Sequence, residues 1–383
     1  MCTYEKGFEE KMSNTVIVGG GIIGLLTARY LAQAGKQVTL IDKSELGSGA
    51  TWASAGIISP HATSGSTDIA GEPGLILRNL SFTLWPEIAQ SIQEETGIDI
   101  EFTLSGVLLV SLNKKESENI KTKAKKNDWG NTNWLSSDEV QKKEPELSKK
   151  IDGALLVEGG NVEVRNLGPA LEISCRKLGV EIRSGELVYE VISDKNSIVG
   201  IRTEKDEINS SNVIICAGTG SNKIKGINLE VPILPQKGQI ISIDGRKINL
   251  NHIILTENDP YFVPRSNGKI ILGATREWAG EDKRLTVGGL NWLMNGGMEI
   301  IPNIKDSAIK ETWTGFRPVT TDYLPLIGKG NIDGLFFCSG HGPSGVGPAP
   351  ASAKIILSLL TEKTPEINIS PYNPIRFQEK NIN

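Results

Sequence analysis

The chain has 383 residues, 38% hydrophobic and 22% charged, which excludes disorder and leaves material for one large or two ordinary domains. Its 41 Lys and Arg stand against 45 Asp and Glu, so a net charge of −4 offers no electrostatic footprint for nucleic acid or anionic lipid. Three histidines without ligand spacing, and no GxSxG elbow, argue against a His-based metal site and a hydrolase triad.

The first eleven residues, MCTYEKGFEEK, are polar and precede a second methionine, Met12; they read as a loose extension. TVIV at 15–18 is a buried, β-branched strand. A glycine cluster follows, and then IIGLLTARYLAQAG has helical periodicity with Gly35 as its C-cap. QVTLID at 37–42 is a second buried strand, so the chain opens with a βαβ unit whose strands must be covered on both faces. The run from 15 is too short and too glycine-rich to span a bilayer.

Residues 74–98 hold helix-like stretches, 101–112 read as extended, and 114–150 read as a solvated helix-and-loop excursion. NLGPALEISCRKLGV is helical, 180–218 is a series of short strands at hairpin spacing, and 231–275 continues that pattern. LFFCSG leads through the loop SGHGPSGVG (339–347) into the helix APASAKIILSLLTEK. The four cysteines, Cys2, Cys175, Cys216 and Cys338, lack CxxC spacing and read as free thiols in a reducing compartment. The fold class is therefore α/β, or α+β overall, with a discontinuous antiparallel part between two α/β ends.

Gly19, Gly21 and Gly24 satisfy G-x-G-x-x-G between strand and helix. Asp42 ends the second strand, 23 residues beyond Gly19, where a carboxylate can accept ribose hydroxyls. This predicts a dinucleotide without distinguishing NAD from FAD. The small-residue loop GSGATWASAGIIS directly after the acidic strand suits a ligand longer than one nucleotide half.

The stretches VIVGGGIIG, GSGATWASAGI, NVIICAGTGS, YFVPR, GATREWAG, WTGFRPVTTDYLPLIG and SGHGPSGVG, in this order, resemble the D-amino-acid-oxidase-like (DAO) family of FAD amine oxidoreductases, with glycine oxidases of the thiamine pathway as the nearest branch. The resemblance covers residues 12 to about 377. It implies a Rossmann-like FAD-binding domain from 12–84, 150–222 and 322–377, and a substrate domain from 85–149 and 223–321. Ile22, Ile23, Asp42, Lys43, Ala50, Thr51, Ala55, Gly56 and Ile57 fall on FAD-binding positions. Val188 matches the residue that meets the adenine through its backbone, and Ala217 and Gly218 join this set. His341, Gly342, Pro343, Ser344, Gly345, Val346 and Gly347 match the segment beside the flavin ring. Tyr261 and Arg317 match residues that hold the substrate carboxylate. His341 is expected to orient its loop and not to act as a base.

The resemblance has departures. Pro343 stands where glycine oxidases have a second carboxylate-binding arginine, and no arginine lies in 339–347. Ala53 follows Trp52 where certain relatives attach FAD through histidine, and Cys338 is distant from the cysteine position of sarcosine oxidases, so FAD is expected to be non-covalent. The implied activity is oxidation of a small amino acid (glycine, sarcosine or a D-amino acid) by hydride transfer from Cα to flavin N5. It yields a 2-oxo acid and ammonia or amine, with H2O2 if O2 is the acceptor. A D-amino-acid or proline dehydrogenase passing electrons to a quinone or carrier is the alternative, and a non-catalytic flavin-binding module lies outside both. A cytoplasmic protein is expected, peripheral at the inner membrane if a dehydrogenase. No metal, nucleic-acid partner or integral membrane segment is expected, and a homo-oligomer is left open.

Overall fold

The computed structural model describes residues 15–61, 71–127, 129, 132–258 and 260–378. The polar extension 1–11 and Cys2 lie outside them. Two main sheets organise the chain. The first has six strands in the order Leu326–Lys329, Leu335–Ser339, Val213–Ile215, Thr15–Val18, Val38–Asp42 and Glu181–Ser184. All neighbours are parallel except Leu326–Lys329 with Leu335–Ser339. Its central strands are buried along their whole length, as in a sheet covered on both faces.

Helices Ile22–Gln33, Val164–Lys177, Gly71–Thr96 and Ala349–Leu360 pack together on one face, around Leu25, Leu26, Trp85, Leu171 and Ile355. The three-stranded antiparallel sheet of Val188–Asp194, Ser197–Thr203 and Glu207–Asn209 shares the core cluster on the other, with Val16, Val18 and Ile215. Gly35 has φ of +77° just past the first helix, the left-handed turn expected of that glycine.

The second sheet has eight strands, in the order Ile309–Thr320, Ile233–Asp244, Lys269–Gly273, Tyr261–Pro264, Ile253–Leu255, Val107–Ser111, Gly153–Val157 and Asn133–Ser136. Only Ile253–Leu255 and Val107–Ser111 run parallel. Two expected boundaries meet continuous elements. The division at 84/85 falls inside one helix, Gly71–Thr96, whose residues Trp85, Ile88 and Ile92 are buried with the first sheet's core. Strand Gly153–Val157 pairs with Val107–Ser111 and Asn133–Ser136, so the return to the first sheet comes after 157 and not at 150. The excursion 114–150 is also less loop-like than expected: it supplies the edge strand Asn133–Ser136 and the helices Lys114–Lys126 and Ser137–Lys143.

Candidate active site at the junction of the two sheets

The nucleotide end is built from backbone. Gly19 has φ of +110°, and a Cβ there would lie 2.5 Å from the Cys216 carbonyl oxygen. A Cβ on Gly24 would lie 1.9 Å from the Gly19 carbonyl oxygen, so only glycine lets the helix seat against the strand. The first helical amide, of Ile22, donates to Thr51 Oγ1 at 3.0 Å, and the Gly20 amide donates to Asp42 Oδ2 at 2.6 Å. Burial raises the Asp42 pKa, while the Gly20 and Ser44 amides and Lys43 pull it back. Asp42 is thus a carboxylate held at a glycine turn and a helix N-terminus. Val188 is brought here because the Glu186 amide donates to the Asp42 carbonyl at 2.9 Å. Lys43 and Ala50 are exposed.

Strand Ile309–Thr320 joins this end to the second sheet. Its alternate residues Trp313, Gly315, Arg317 and Val319 share one face. Trp313 Nε1 donates to the Ala53 carbonyl at 3.0 Å, and a Cβ on Gly315 would meet Ala53 Cβ at 2.3 Å. At the other end of that face, Val319 forms an antiparallel bridge with His341. One strand therefore touches the loops 47–57 and 339–347, and Arg317 projects between the two contacts.

Arg317 lies over Gly238 of the neighbouring strand, where a Cβ would come within 2.8 Å of both terminal guanidinium nitrogens. Its Nη1 donates to the carbonyls of Thr275 at 2.9 Å and Lys237 at 3.3 Å, which fixes the fork. Tyr261 is placed by a second glycine: its ring covers Gly273, its cross-strand partner, where a Cβ would lie 2.6 Å from the phenol oxygen. Burial raises the Tyr261 pKa, and Arg317, Arg276 and Arg265 oppose that rise in this order. Burial also lowers the Arg317 pKa. Tyr261 and Arg317, separate in sequence, are thereby neighbours. Tyr261 lines a cavity of about 400 Å³ with Asn258, Ala274, Thr275, Arg276, Glu277, Gly289 and Trp292.

The loop 339–347 is anchored on several sides. Trp85 Nε1 donates to the Gly347 carbonyl at 3.0 Å, and the Gly218 amide donates to Ser339 Oγ at 3.0 Å. Gly340 and Gly342 have φ of +79° and +58°, Gly342–Ser344 forms one 3-10 turn, and the helix starts at Ala349 with Pro350 in its first turn. His341 Nε2 is 2.9 Å from Ser352 Oγ, which itself donates to the Pro348 carbonyl, so Nε2 is assigned the proton. Burial pushes the His341 pKa down to about 3, leaving it neutral.

The model of the DAO family, described as "FAD dependent oxidoreductase", matches residues 14–359. The chain belongs to this family. It is 31% identical to the glycine oxidase of Pseudomonas aeruginosa over 369 residues, 94% of this chain and 98% of that protein. It is 28% identical over 370 residues to the bifunctional protein ThiO/ThiG of Trichormus variabilis, and it spans 55% of the length of that relative. The crystal structure of glycine oxidase from Geobacillus kaustophilus superposes with a TM-score of 0.88 at 26% identity, covering 95% of this chain and 98% of that one.

This DAO-family enzyme depends on FAD, and its residues fit that group. The Gly19 turn has no room for a side chain, the helix N-terminus faces an acidic strand end, and a Cβ on Gly21 would meet only Thr51 Oγ1, at 3.4 Å. Two residues of the site were not singled out by sequence reasoning. Arg265 is buried and donates to the Ala55 carbonyl (2.9 Å), the Val162 carbonyl (2.9 Å) and Asn161 Oδ1 (2.6 Å), tying the loop 47–57 to the Tyr261 strand. Arg276 lines the cavity. Both lie within stretches quoted for the resemblance, YFVPR and GATREWAG, yet nothing in their local spacing sets them apart from surface arginines. Among the described residues, no helix is long and apolar enough to cross a membrane, and no group of three His, Cys, Asp or Glu could hold a metal. Cys175, Cys216 and Cys338 are buried free thiols.

Proposed function

We propose that this enzyme oxidises the Cα–N bond of a small amino acid such as glycine, sarcosine or a D-amino acid. The observation that carries the reading is strand Ile309–Thr320, which presents Arg317 between its contacts with the loops 47–57 and 339–347, beside Tyr261. The Pseudomonas and Geobacillus relatives, named glycine oxidases, support the same chemistry. Gly19, Gly21, Ile22, Ile23, Gly24, Asp42, Lys43, Ala50, Thr51, Ala55, Gly56, Ile57, Val188, Ala217 and Gly218 hold the FAD non-covalently, and His341 to Gly347 wall its ring.

Bound FAD supplies the two-electron acceptor for a hydride leaving Cα. Arg317 binds the substrate carboxylate through its remaining N–H groups and Tyr261 donates its phenol proton, which fixes the Cα–H direction. The substrate nitrogen reacts as the free amine. His341 takes no proton: its Nε2–H is committed to Ser352, and it holds the loop in place. Loss of a hydride from Cα and a proton from nitrogen leaves an imino acid. Water converts it to the 2-oxo acid and ammonia, or methylamine from sarcosine. O2 removes the two electrons with two protons as H2O2; a quinone or carrier takes them in the dehydrogenase variant, whose place is at the inner membrane instead of the open cytoplasm.

Anaerobic titration with glycine, sarcosine, L-proline, D-proline and D-alanine tests the reading. One of them is expected to bleach the visible flavin band, and air or a quinone then restores it at rates that name the acceptor. A yellow protein bleached by none of these or other amino acids is a flavin-binding module and not this enzyme.

A further inference from the structure

The cavity beside Tyr261 carries on its wall an arginine other than Arg317. Arg317 is pinned to the Thr275 carbonyl, and the next residue, Arg276, lines the cavity itself. Arg276 is accessible from solvent, yet the concave walls around it lower its pKa by desolvation. Its charge is felt by Tyr261 and by Arg317, and Arg317, Arg276 and Arg265 all act on the phenol. Arg276 in turn senses Tyr323, which lines a small recess with His341 and Pro343. The loop 339–347 has no arginine of its own.

Glu277, on the same wall, is held by partners of its own. It accepts from Thr275 Oγ1 at 2.5 Å and Gln239 Nε2 at 2.8 Å, and it pairs with the buried Lys237 at 3.3 Å. A guanidinium on the cavity wall beside the Tyr261 phenol, one residue from the carbonyl that pins Arg317, forms a receptor for an anion.

We propose that Arg276 is a second substrate-binding arginine, which grips the carboxylate together with Arg317 and Tyr261 from the strand end, where Pro343 cannot. This rests on the amino-acid oxidase reading above and names the residue that completes its grip. The substrate class it selects is a compact amine bearing a carboxylate, with neutral amides and esters discriminated against.

The test is equilibrium binding of glycolate to the holoenzyme, followed by the change in flavin absorption, for wild type, Arg276→Gln, Arg276→Lys and Arg317→Ala. Arg276→Gln is expected to keep the ligand-free flavin spectrum and weaken glycolate binding about 10- to 100-fold, the range of a lost charge-assisted hydrogen bond. Arg276→Lys, which keeps charge but not the fork, is expected to recover part of that loss. Binding of the neutral probe glycolamide is expected to change less than threefold. If Arg276→Gln and wild type bind glycolate equally while Arg317→Ala loses it, Arg276 has no part in the grip and the oxidase reading stands. If glycolate and every amino acid leave the wild-type spectrum unmoved, the oxidase reading and this proposal fall together.

Discussion

The nucleotide end and the substrate end of this enzyme solve the same problem, a close approach to a ligand, by opposite means. At the nucleotide end the proposed contacts centre on one contiguous stretch, Gly19 to Asp42, built mainly of backbone amides and missing side chains. At the proposed substrate end they are side chains, Tyr261 and Arg317 from two strands and Arg276 from just past the end of a third, and glycines serve them indirectly: Gly238 and Gly273 make room for a guanidinium and a phenol. Damage to the first end is therefore expected to be total, while damage to the second is expected to be graded and specific.

The largest effect separates the two ends outright. Gly24→Val places carbon where the Gly19 carbonyl oxygen lies 1.9 Å from an ideal Cβ. Purified variant is expected to contain no flavin, read from its visible spectrum, and retained stoichiometric FAD would overturn the backbone account. Arg317→Ala should instead keep its flavin and raise KM about 10- to 100-fold, from the loss of about 1.5–3 kcal/mol of charge-assisted bonding. Steady-state kinetics with the substrate found in the bleaching panel measure it.

Gly273→Ala sharpens the comparison further. Its methyl group would lie 2.6 Å from the Tyr261 phenol oxygen, so the ring must move, at a cost of about 1–3 kcal/mol in stability. A several-fold fall in kcat/KM with flavin content unchanged is the expected result; kinetics equal to wild type would free Tyr261 from the site. The smallest effect is on pH dependence. His341 is shifted from its ordinary 6.5 down to about 3 by burial, so between those values the unfolded chain binds the proton and the native one does not. Its contribution to stability is complete above about 6.5 and is lost as pH falls toward 3. His341→Gln should flatten that part of the Tm-versus-pH curve, and an unchanged slope would assign acid sensitivity elsewhere.

The two ends also differ in how readable they were. Strand, glycine turn, helix and acidic strand end follow one another within 28 residues, so local physics sufficed. Tyr261 and Arg317 were visible only through resemblance, because their meeting depends on strand register across the second sheet. Helix Gly71–Thr96 runs straight through Pro86, a residue that normally ends a helix, so no local signal near 84/85 marks where the segments of the two sheets part. The helix Val287–Ile300, which forms one side of the cavity at Gly289 and Trp292, went unread because its glycines at 288, 289, 296 and 297 mask the apolar period. Arg265 and Arg276 escaped for a different reason. An arginine beside a strand end looks the same in sequence whether it faces bulk water or a cavity.

Strand Ile309–Thr320 leans on Ala53 at one point and His341 at another, with Arg317 between them. On the proposed function, a substrate carboxylate and the cofactor are two ligands of one lever. Linkage then demands reciprocity: by whatever factor glycolate on Arg317 tightens the binding of FAD, FAD tightens the binding of glycolate. The apoprotein is thus expected to be a poor carboxylate binder even with every substrate side chain in place, and the cofactor acts as a structural member of the substrate site before it acts as an oxidant.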